Sequence, residues 1–332
     1  MPENNNEQSI CGYCKSSESK VLYKTFDIFK NNYTINKCSA CNAYFLAPRP
    51  TPEQLSKAYA SSYYGGNKEK FSSPLIEKIL DYFRSGRARR VSRFIKNDAK
   101  VLDIGCGNGR FLKYLLKFGS FKLYGTEMEG NSAKRASRIP EITLKTGTLE
   151  PDDFPDKFFD AISLFHVFEH LTEPKETLEI INKILKPGGI VVFSFPNIVS
   201  FQAQLFKGKW LHLDPPRHLF FFAPKDFIKL MKTFGFTVIS KHNISLEQNP
   251  FGMVQSLLNL TTKKREVLFE SLKGNADYIK EYSKLNMFFQ KLFFVVTMPV
   301  FALTDVISAL FGKSGTIELA FKKNDSFLKC DC

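Results

Sequence analysis

The sequence predicts an α/β protein: a doubly wound, mostly parallel sheet, with a small cysteine-bearing module ahead of it and a helical insertion before its last strand. Three observations carry this reading. From Lys100 onward, seven short apolar runs alternate with helical patterns, as in a parallel sheet covered on both faces. The first run ends in a glycine-rich turn, VLDIGCGNGRF at 101–111, that opens a helix. Ahead of it, Cys11/Cys14 and Cys38/Cys41 form two Cys-x-x-Cys pairs. The boundaries that follow are a four-cysteine module over 1–50, a helical linker or cap over 51–98, the main domain over 99–322 with its insertion at 243–314, and a tail over 323–332.

The module comes first in the chain. Two tight turns that each bear two thiolates offer four sulfur ligands to a tetrahedral zinc, with no position left open for catalysis. Between them, Tyr23, Phe26, Ile28, Tyr33 and Ile35 suit a small hairpin that is too short to hold itself together by burial, so a structural zinc is the expected staple. Two disulfides are the alternative, disfavoured in a reducing compartment. The polar start MPENNNEQS lacks the basic and apolar regions of a secretory signal, so the expected location is cytoplasmic. Next, Ala-Pro-Arg-Pro-Thr-Pro at 47–52 reads as a linker, and Glu53 to about Asn97 as helix broken by SSYYGGN, where Tyr63 and Tyr64 either cover a ligand or simply pack.

The strands of the main domain are expected at Val101–Ile104, Lys122–Tyr124, Ile142–Lys145, Phe159–Leu164, Ile190–Phe195, Phe236–Ser240 and Thr316–Phe321, with helices such as Pro174–Leu185 and Pro224–Phe234 between them. Such sheets bind ligands at the carboxyl ends of their strands. At the first of those ends, Gly105, Gly107 and Gly109 let the backbone approach a ligand closely, with Asp103 at the mouth. A dinucleotide fingerprint would need glycine at 110, which is Arg, so the spacing turns away from NAD.

Gly-x-Gly-x-Gly in this position resembles motif I of class I S-adenosylmethionine (SAM)-dependent methyltransferases. Gly125-Thr126-Glu127, Phe158-Phe159-Asp160-Ala161-Ile162 and Leu185-Lys186-Pro187-Gly188-Gly189 follow at similar intervals, so the resemblance spans about Ala99 to Lys322. It implies a Rossmann-like seven-stranded methyltransferase sheet. The glycine loop would hold the methionine and ribose parts of SAM, Asp103 would face the amino group, and Glu127 would accept hydrogen bonds from the ribose hydroxyls. The family's acidic adenine contact is replaced by Thr146-Gly147-Thr148-Leu149-Glu150, which leaves Thr148 and Leu149 as the adenine neighbours.

Two histidine-bearing segments fall after strands four and five. His166-Val167-Phe168-Glu169-His170 fits the H-x-x-E-H pattern of inverted zinc proteases, but it follows a strand directly instead of lying on a helix. Asp214-Pro215-Pro216-Arg217-His218 precedes the helix at Pro224. Both sit at the carboxyl end of the sheet, so His166, Glu169 and His218 are the catalytic candidates, with His170 the most structural. His218 serves either as the base that takes a proton from the methyl acceptor or as a ligand of a divalent ion that polarises it. Similar acidic and histidine ligands stand here in small-RNA 2′-O-methyltransferases. Arg217 would bind an anionic group on the acceptor or pair with Asp214.

The insertion ends in LFFVVTMPVFALTDVISALF at 292–311, interrupted by Pro299 and Asp305 and flanked by Lys284, Lys291 and Lys313. It reads either as an interfacial hairpin at an anionic membrane or as a buried lid over the pocket. The net charge of +14, from 47 Lys+Arg against 33 Asp+Glu, favours an anionic partner. Taken together, the motifs resemble bacterial SAM methyltransferases of the ubiquinone-biosynthesis-like superfamily that carry a zinc-ribbon-like module. The resemblance implies O-methylation of a saccharide or lipid-linked saccharide in the cytoplasm or at the inner face of the cell membrane. A metal-assisted RNA 2′-O-methyltransferase is the alternative enzyme, although no arginine-rich arm marks a nucleic-acid partner. A non-catalytic SAM- and zinc-binding interaction module is the third reading.

Overall fold

The computed structural model describes residues 9–59 and 74–325. Tyr63 and Tyr64 lie outside these residues, as do Cys330 and Cys332. The chain opens with β1 (Ser19–Phe26), β2 (Asn32–Cys38) and β3 (Tyr44–Ala47), an antiparallel meander. Asp27 shapes its first turn by accepting the amides of Phe29 and Asn31, each at 2.8 Å. Helix α1 (Pro52–Ala58) starts at once, because Thr51 and Gln54 form a capping box and Pro52 pre-sets the first turn.

Next come α2 (Pro74–Ser92), β4 (Ala99–Ile104), α3 (Arg110–Leu115), β5 (Phe121–Glu127), α4 (Asn131–Ala136), β6 (Ile142–Thr146), β7 (Phe159–Phe165), α5 (Pro174–Ile184), β8 (Leu185–Pro196), α6 (Phe201–Phe206), β9 (Phe220–Phe221), α7 (Pro224–Thr233) and β10 (Phe236–His242). The insertion follows as α8 (Asn249–Thr261), α9 (Val267–Leu272), α10 (Ala276–Ile279) and α11 (Lys284–Leu310), and β11 (Thr316–Lys323) closes the main sheet.

That sheet has the order β10-β11-β8-β7-β4-β5-β6. The central pairs are parallel, and β11 runs antiparallel to both its neighbours. All seven expected strands are present. The sharpest difference is at β8, which begins at Leu185 instead of Ile190, with a register shift between Phe159 and Ala161 absorbing Lys186–Gly189. Strand order reverses between β4 and β7, the switch point where such sheets open a crevice.

The cysteine module and the main domain are not separate bodies. Strand β9 pairs with β3, Phe45 opposite Phe220 and Tyr44 opposite Phe221, so a segment far along the chain completes the module's sheet. A second tie runs through Arg265, between α8 and α9 and 1% exposed. Its guanidinium donates to Thr25 Oγ1 at 3.1 Å, to the Gly208 carbonyl at 2.9 Å and to the Trp210 carbonyl, and it pairs with Glu266 at 2.7 Å. Insertion, module and main domain therefore meet at one buried cation.

Two expectations about the insertion are corrected. Pro299 and Asp305 do not interrupt the last helix: α11 runs unbroken through both, and Asp305 faces inward, accepting from Asn249 at 2.8 Å. Nor is this segment a buried lid, because Val295, Val296 and Leu303 are each more than 60% exposed.

Removing Arg265 strands the Glu266 carboxylate in the interior. Arg265→Leu is expected to lower unfolding free energy by about 3–5 kcal/mol in urea denaturation, and Arg265→Leu/Glu266→Leu by less.

Candidate active site

Strand β4 delivers Asp103 and the glycine turn to the crevice. Gly107 has φ +58°, and a side chain there would meet nothing within 4 Å, so the turn leaves open space beside its backbone where a ligand can pass. Glu127, at the end of β5 and 7% exposed, accepts the Gly107 amide at 2.6 Å. Burial raises the Glu127 pKa, against the Gly107 hydrogen bond. Asp103 is buried beside Ser163, whose hydroxyl donates to it at 2.6 Å, and burial pushes its pKa up to about 7. The turn after β6 returns alongside, the Gly147 amide donating to the Glu127 carbonyl at 2.8 Å. In that turn Thr148 is exposed, whereas Leu149 packs into the core. A buried carboxylate at each of two strand ends, with open space at the glycine turn, suits a ligand that carries a cationic amine and a diol.

The loop after β7 sits directly on this turn. A side chain on Gly105 would meet Val167 at 2.5 Å, so glycine at 105 is what allows the loop to seat. His166 takes φ +56°, a left-handed conformation that strains a non-glycine residue by about 1–3 kcal/mol and aims its ring at Glu169, 3.4 Å away. Glu169 is 1% exposed, and neither of its carboxylate oxygens accepts a hydrogen bond from any described residue. It stands over an aromatic-walled pocket lined by Phe168, Phe195, Phe220, Phe222 and Phe227. Burial in that setting raises its pKa, with His218 and His170 pulling the other way.

The loop before β9 brings His218. Its Nδ1 lies 2.8 Å from the His212 carbonyl, an acceptor only, so the proton is on Nδ1 and the Nε2 lone pair faces Glu169 at 3.9 Å and Asp214 at 3.7 Å. Burial lowers the His218 pKa, opposed by Asp214 and Glu169, and burial also lowers His166 and His170 to about 4. At neutral pH the imidazoles gathered around Glu169 are uncharged. Burial would raise Asp214 too, but Arg217 outweighs it and holds Asp214 well below the usual range. Arg217 is itself 1% exposed, spanning Asp214 and the Ala58 carbonyl at 3.3 Å, so it is committed to the fold instead of reaching an acceptor.

His170, read as the most structural histidine, lies inside the cluster. Its Nδ1 is 3.1 Å from the Arg217 carbonyl and 2.9 Å from the Tyr59 hydroxyl, and its ring is 4.5 Å from that of His218. Ligand atoms of Glu169, His170 and His218 all lie within 4.8 Å of one another, a set able to hold a divalent ion. Reading the sequence for motifs missed His212, which acts through its backbone carbonyl, and Leu219. The Leu219 carbonyl accepts the Leu46 amide at 2.9 Å, and its amide donates to the Glu169 carbonyl at 2.8 Å. No side-chain pattern could have revealed either.

In the module, the four thiols converge. Cys11 and Cys41 Sγ are 3.6 Å apart and Cys14 and Cys38 Sγ 3.5 Å, far beyond disulfide bonding. Four sulfurs about 2.3 Å from a tetrahedral centre would stand about 3.8 Å from each other, so the set fits a zinc ion.

Comparison with known proteins agrees with this geometry. Residues 76–241, half of the chain, match a family described as a methyltransferase domain. The ubiquinone biosynthesis O-methyltransferase of Ruegeria sp. (strain TM1040) is 26% identical over 211 residues, which is 57% of this chain and 84% of that protein. A protein of Mycolicibacterium smegmatis named a probable S-adenosylmethionine-dependent methyltransferase is 28% identical over 139 residues, which is 42% of this chain. The match spans about half of that relative's own length, 52%. Among solved structures, the 4+2 cyclase SpnF is 15% identical with a TM-score of 0.50, over 83% of this chain and 97% of its own, a likeness of fold. With the glycine turn, the paired acidic strand ends and the seven-stranded order in place, the chain belongs to the class I SAM-dependent methyltransferase family.

Proposed function

We propose that the protein methylates a hydroxyl of a saccharide or lipid-linked saccharide, with His218 as the residue that removes the hydroxyl proton and Glu169 and His166 beside it. The observation that carries this reading is the Glu169 carboxylate, buried without a donor and facing the lone pair of a neutral imidazole. A buried carboxylate left in this state is costly, and a proton arriving on His218 Nε2 would give it a counter-charge. SAM supplies an electrophilic methyl group when bound. Asp103, Gly105, Gly107, Gly109 and Glu127 would hold it, with Thr148 and Leu149 beside the adenine. The protein's part in the transfer is alignment and proton removal, which a loop stiffened by Pro215 and Pro216 suits.

Oxygen as the acceptor atom is supported by this base and by the name of the Ruegeria relative. The saccharide is supported by the resemblance to zinc-ribbon-bearing members of the superfamily. On this reading the enzyme works in the cytoplasm, meets a lipid-carried acceptor at the inner face of the cell membrane, and carries a structural zinc on Cys11, Cys14, Cys38 and Cys41. A second reading shares the same atoms: the convergence of Glu169, His170 and His218 favours a divalent ion that polarises the acceptor hydroxyl. The experiment is methyl transfer from labelled SAM into glycan, lipid, protein and RNA fractions of a lysate. Label in glycan or in saccharide-bearing lipid is expected. Label confined to RNA, or to lipid without sugar, contradicts the saccharide.

Three further outcomes are expected. Metal analysis should find about one zinc per chain, and a Cys11→Ser/Cys38→Ser protein that keeps it would contradict the assignment. His218→Ala should lower kcat by about 10²–10⁴ with SAM affinity unchanged if the residue is a base. Under the second reading, chelation abolishes activity and added metal restores it.

The third concerns pH. An Asp103 pKa near 7 leaves the carboxyl mostly neutral at pH 6, where it attracts an ammonium poorly. S-adenosylhomocysteine should therefore bind about tenfold more weakly at about pH 6 than at about pH 8 by calorimetry, and Asp103→Asn should flatten that slope. Without ligand the sign reverses. The raised pKa favours the fold at low pH, and that contribution is lost as pH rises through about 7.

A further inference from the structure

Helix α11 is built inside out. Its protein-facing stripe holds Met287, Gln290, Phe294, Phe301 and Asp305, so two of its polar side chains point inward, Gln290 at 5% and Asp305 at 2% exposure. Asp305 accepts from Asn249 at 2.8 Å and from the Ser245 amide at 3.1 Å, and Phe294 packs edge-on against Phe251 of α8. The hydroxyls of Thr297 and Thr304 donate back to the carbonyls of Phe293 and Phe301. The outward stripe is apolar: Phe288, Leu292, Val295, Val296, Val300 and Leu303 are between 45% and 65% exposed. A helix on the surface of a soluble domain has the opposite polarity.

Three features say what covers this face. No Asp, Glu, Lys or Arg lies between Lys291 and Asp305, and Asp305 is turned inward, so about three turns present hydrocarbon alone. At the N-terminal end Lys280, Lys284 and Lys291 stand exposed, on a chain of net charge +14. The apolar face also broadens beyond the helix. The Phe201 amide donates to the Lys313 carbonyl at 2.9 Å, which sets Phe201 and Leu205 of α6, 49% and 53% exposed, beside the C-terminal end.

We propose that the outward face of α11, with these neighbours, docks onto the headgroup–acyl boundary of an anionic lipid bilayer. The helix is about 40 Å long at about 1.5 Å per residue, and it lies in the plane of the interface. Spanning would strip it from α8 and carry the Asp305–Asn249 pair into hydrocarbon. The lysines meet anionic headgroups while the apolar stripe enters below them. The surface serves the enzyme whether its acceptor is free or lipid-carried, so it does not depend on the acceptor's identity.

The test is flotation of the full-length protein with phosphatidylcholine vesicles, with and without phosphatidylglycerol, alongside sedimentation without lipid. The wild type is expected to float with phosphatidylglycerol vesicles at low salt. Partition should fall by about tenfold or more on pure phosphatidylcholine, in Lys284→Glu/Lys291→Glu, and in Val295→Glu/Val300→Glu with SAM binding intact. A wild type that stays at the bottom of the gradient at low salt overturns the proposal. So does a wild type that dimerises through this face, with the Val295→Glu/Val300→Glu protein monomeric and vesicle binding absent.

Discussion

Leu219 is the residue on which the site depends. Its carbonyl is held by the Leu46 amide and its own amide by the Glu169 carbonyl, so three distant segments are fixed in one line of backbone hydrogen bonds. One end of that line is the cysteine module, the other the loop that bears His166 and Glu169. His218 sits one residue before Leu219, and β9 starts one residue after it. Val167 extends the line to Gly105 and so to the glycine turn. The module is thus fastened, through β3 and Leu219, to the loop that bears His166 and Glu169. Preorganisation of this kind holds the side chains of both loops in place without ordering them anew when a ligand binds.

The electrostatics follow from the same packing. Asp214, half-buried, and Glu169, buried, are both near His218, yet they behave oppositely. Asp214 has Arg217 against it and stays ionised, whereas Glu169 has aromatic rings behind it and no donor, so its pKa rises. Environment sorts two like groups into a fixed charge and one poised to respond to a proton or a cation arriving nearby. Asp103, at the end of β4, is likewise raised by burial. Among the described residues the crevice therefore has three desolvated carboxyl groups, Asp103 and Glu127 at the strand ends and Glu169 on the loop that Val167 seats against Gly105.

Much of this was legible in sequence, for physical reasons. Parallel strands buried on both faces read as apolar runs, glycines at positive φ read as a turn, and paired cysteines read as a ligand set because each feature is local. What was not legible is non-local. Strand β9 is two residues inside a phenylalanine run, and only its pairing with Tyr44 and Phe45 makes it a strand. Asp305 and Pro299 looked like interruptions of the apolar run, but α11 continues through both, and Asn249, far away in sequence, satisfies the Asp305 carboxylate. Arg217 read equally as an anion binder or as a partner of Asp214, and only its burial beside Asp214 and Ala58 separates the two. His212 and Leu219 work through main-chain atoms, which every residue has.

That the module holds the loop bearing His166 and Glu169 in place is tested most directly by hydrogen–deuterium exchange of the wild type against Cys11→Ser/Cys38→Ser. Loosening the module should release the line of hydrogen bonds through Leu219. Peptides covering 217–222 and 166–170 are then expected to exchange faster, while β4, β5 and the glycine turn between them keep their protection. Faster exchange confined to 9–47, with 217–222 as protected as in the wild type, would contradict the account.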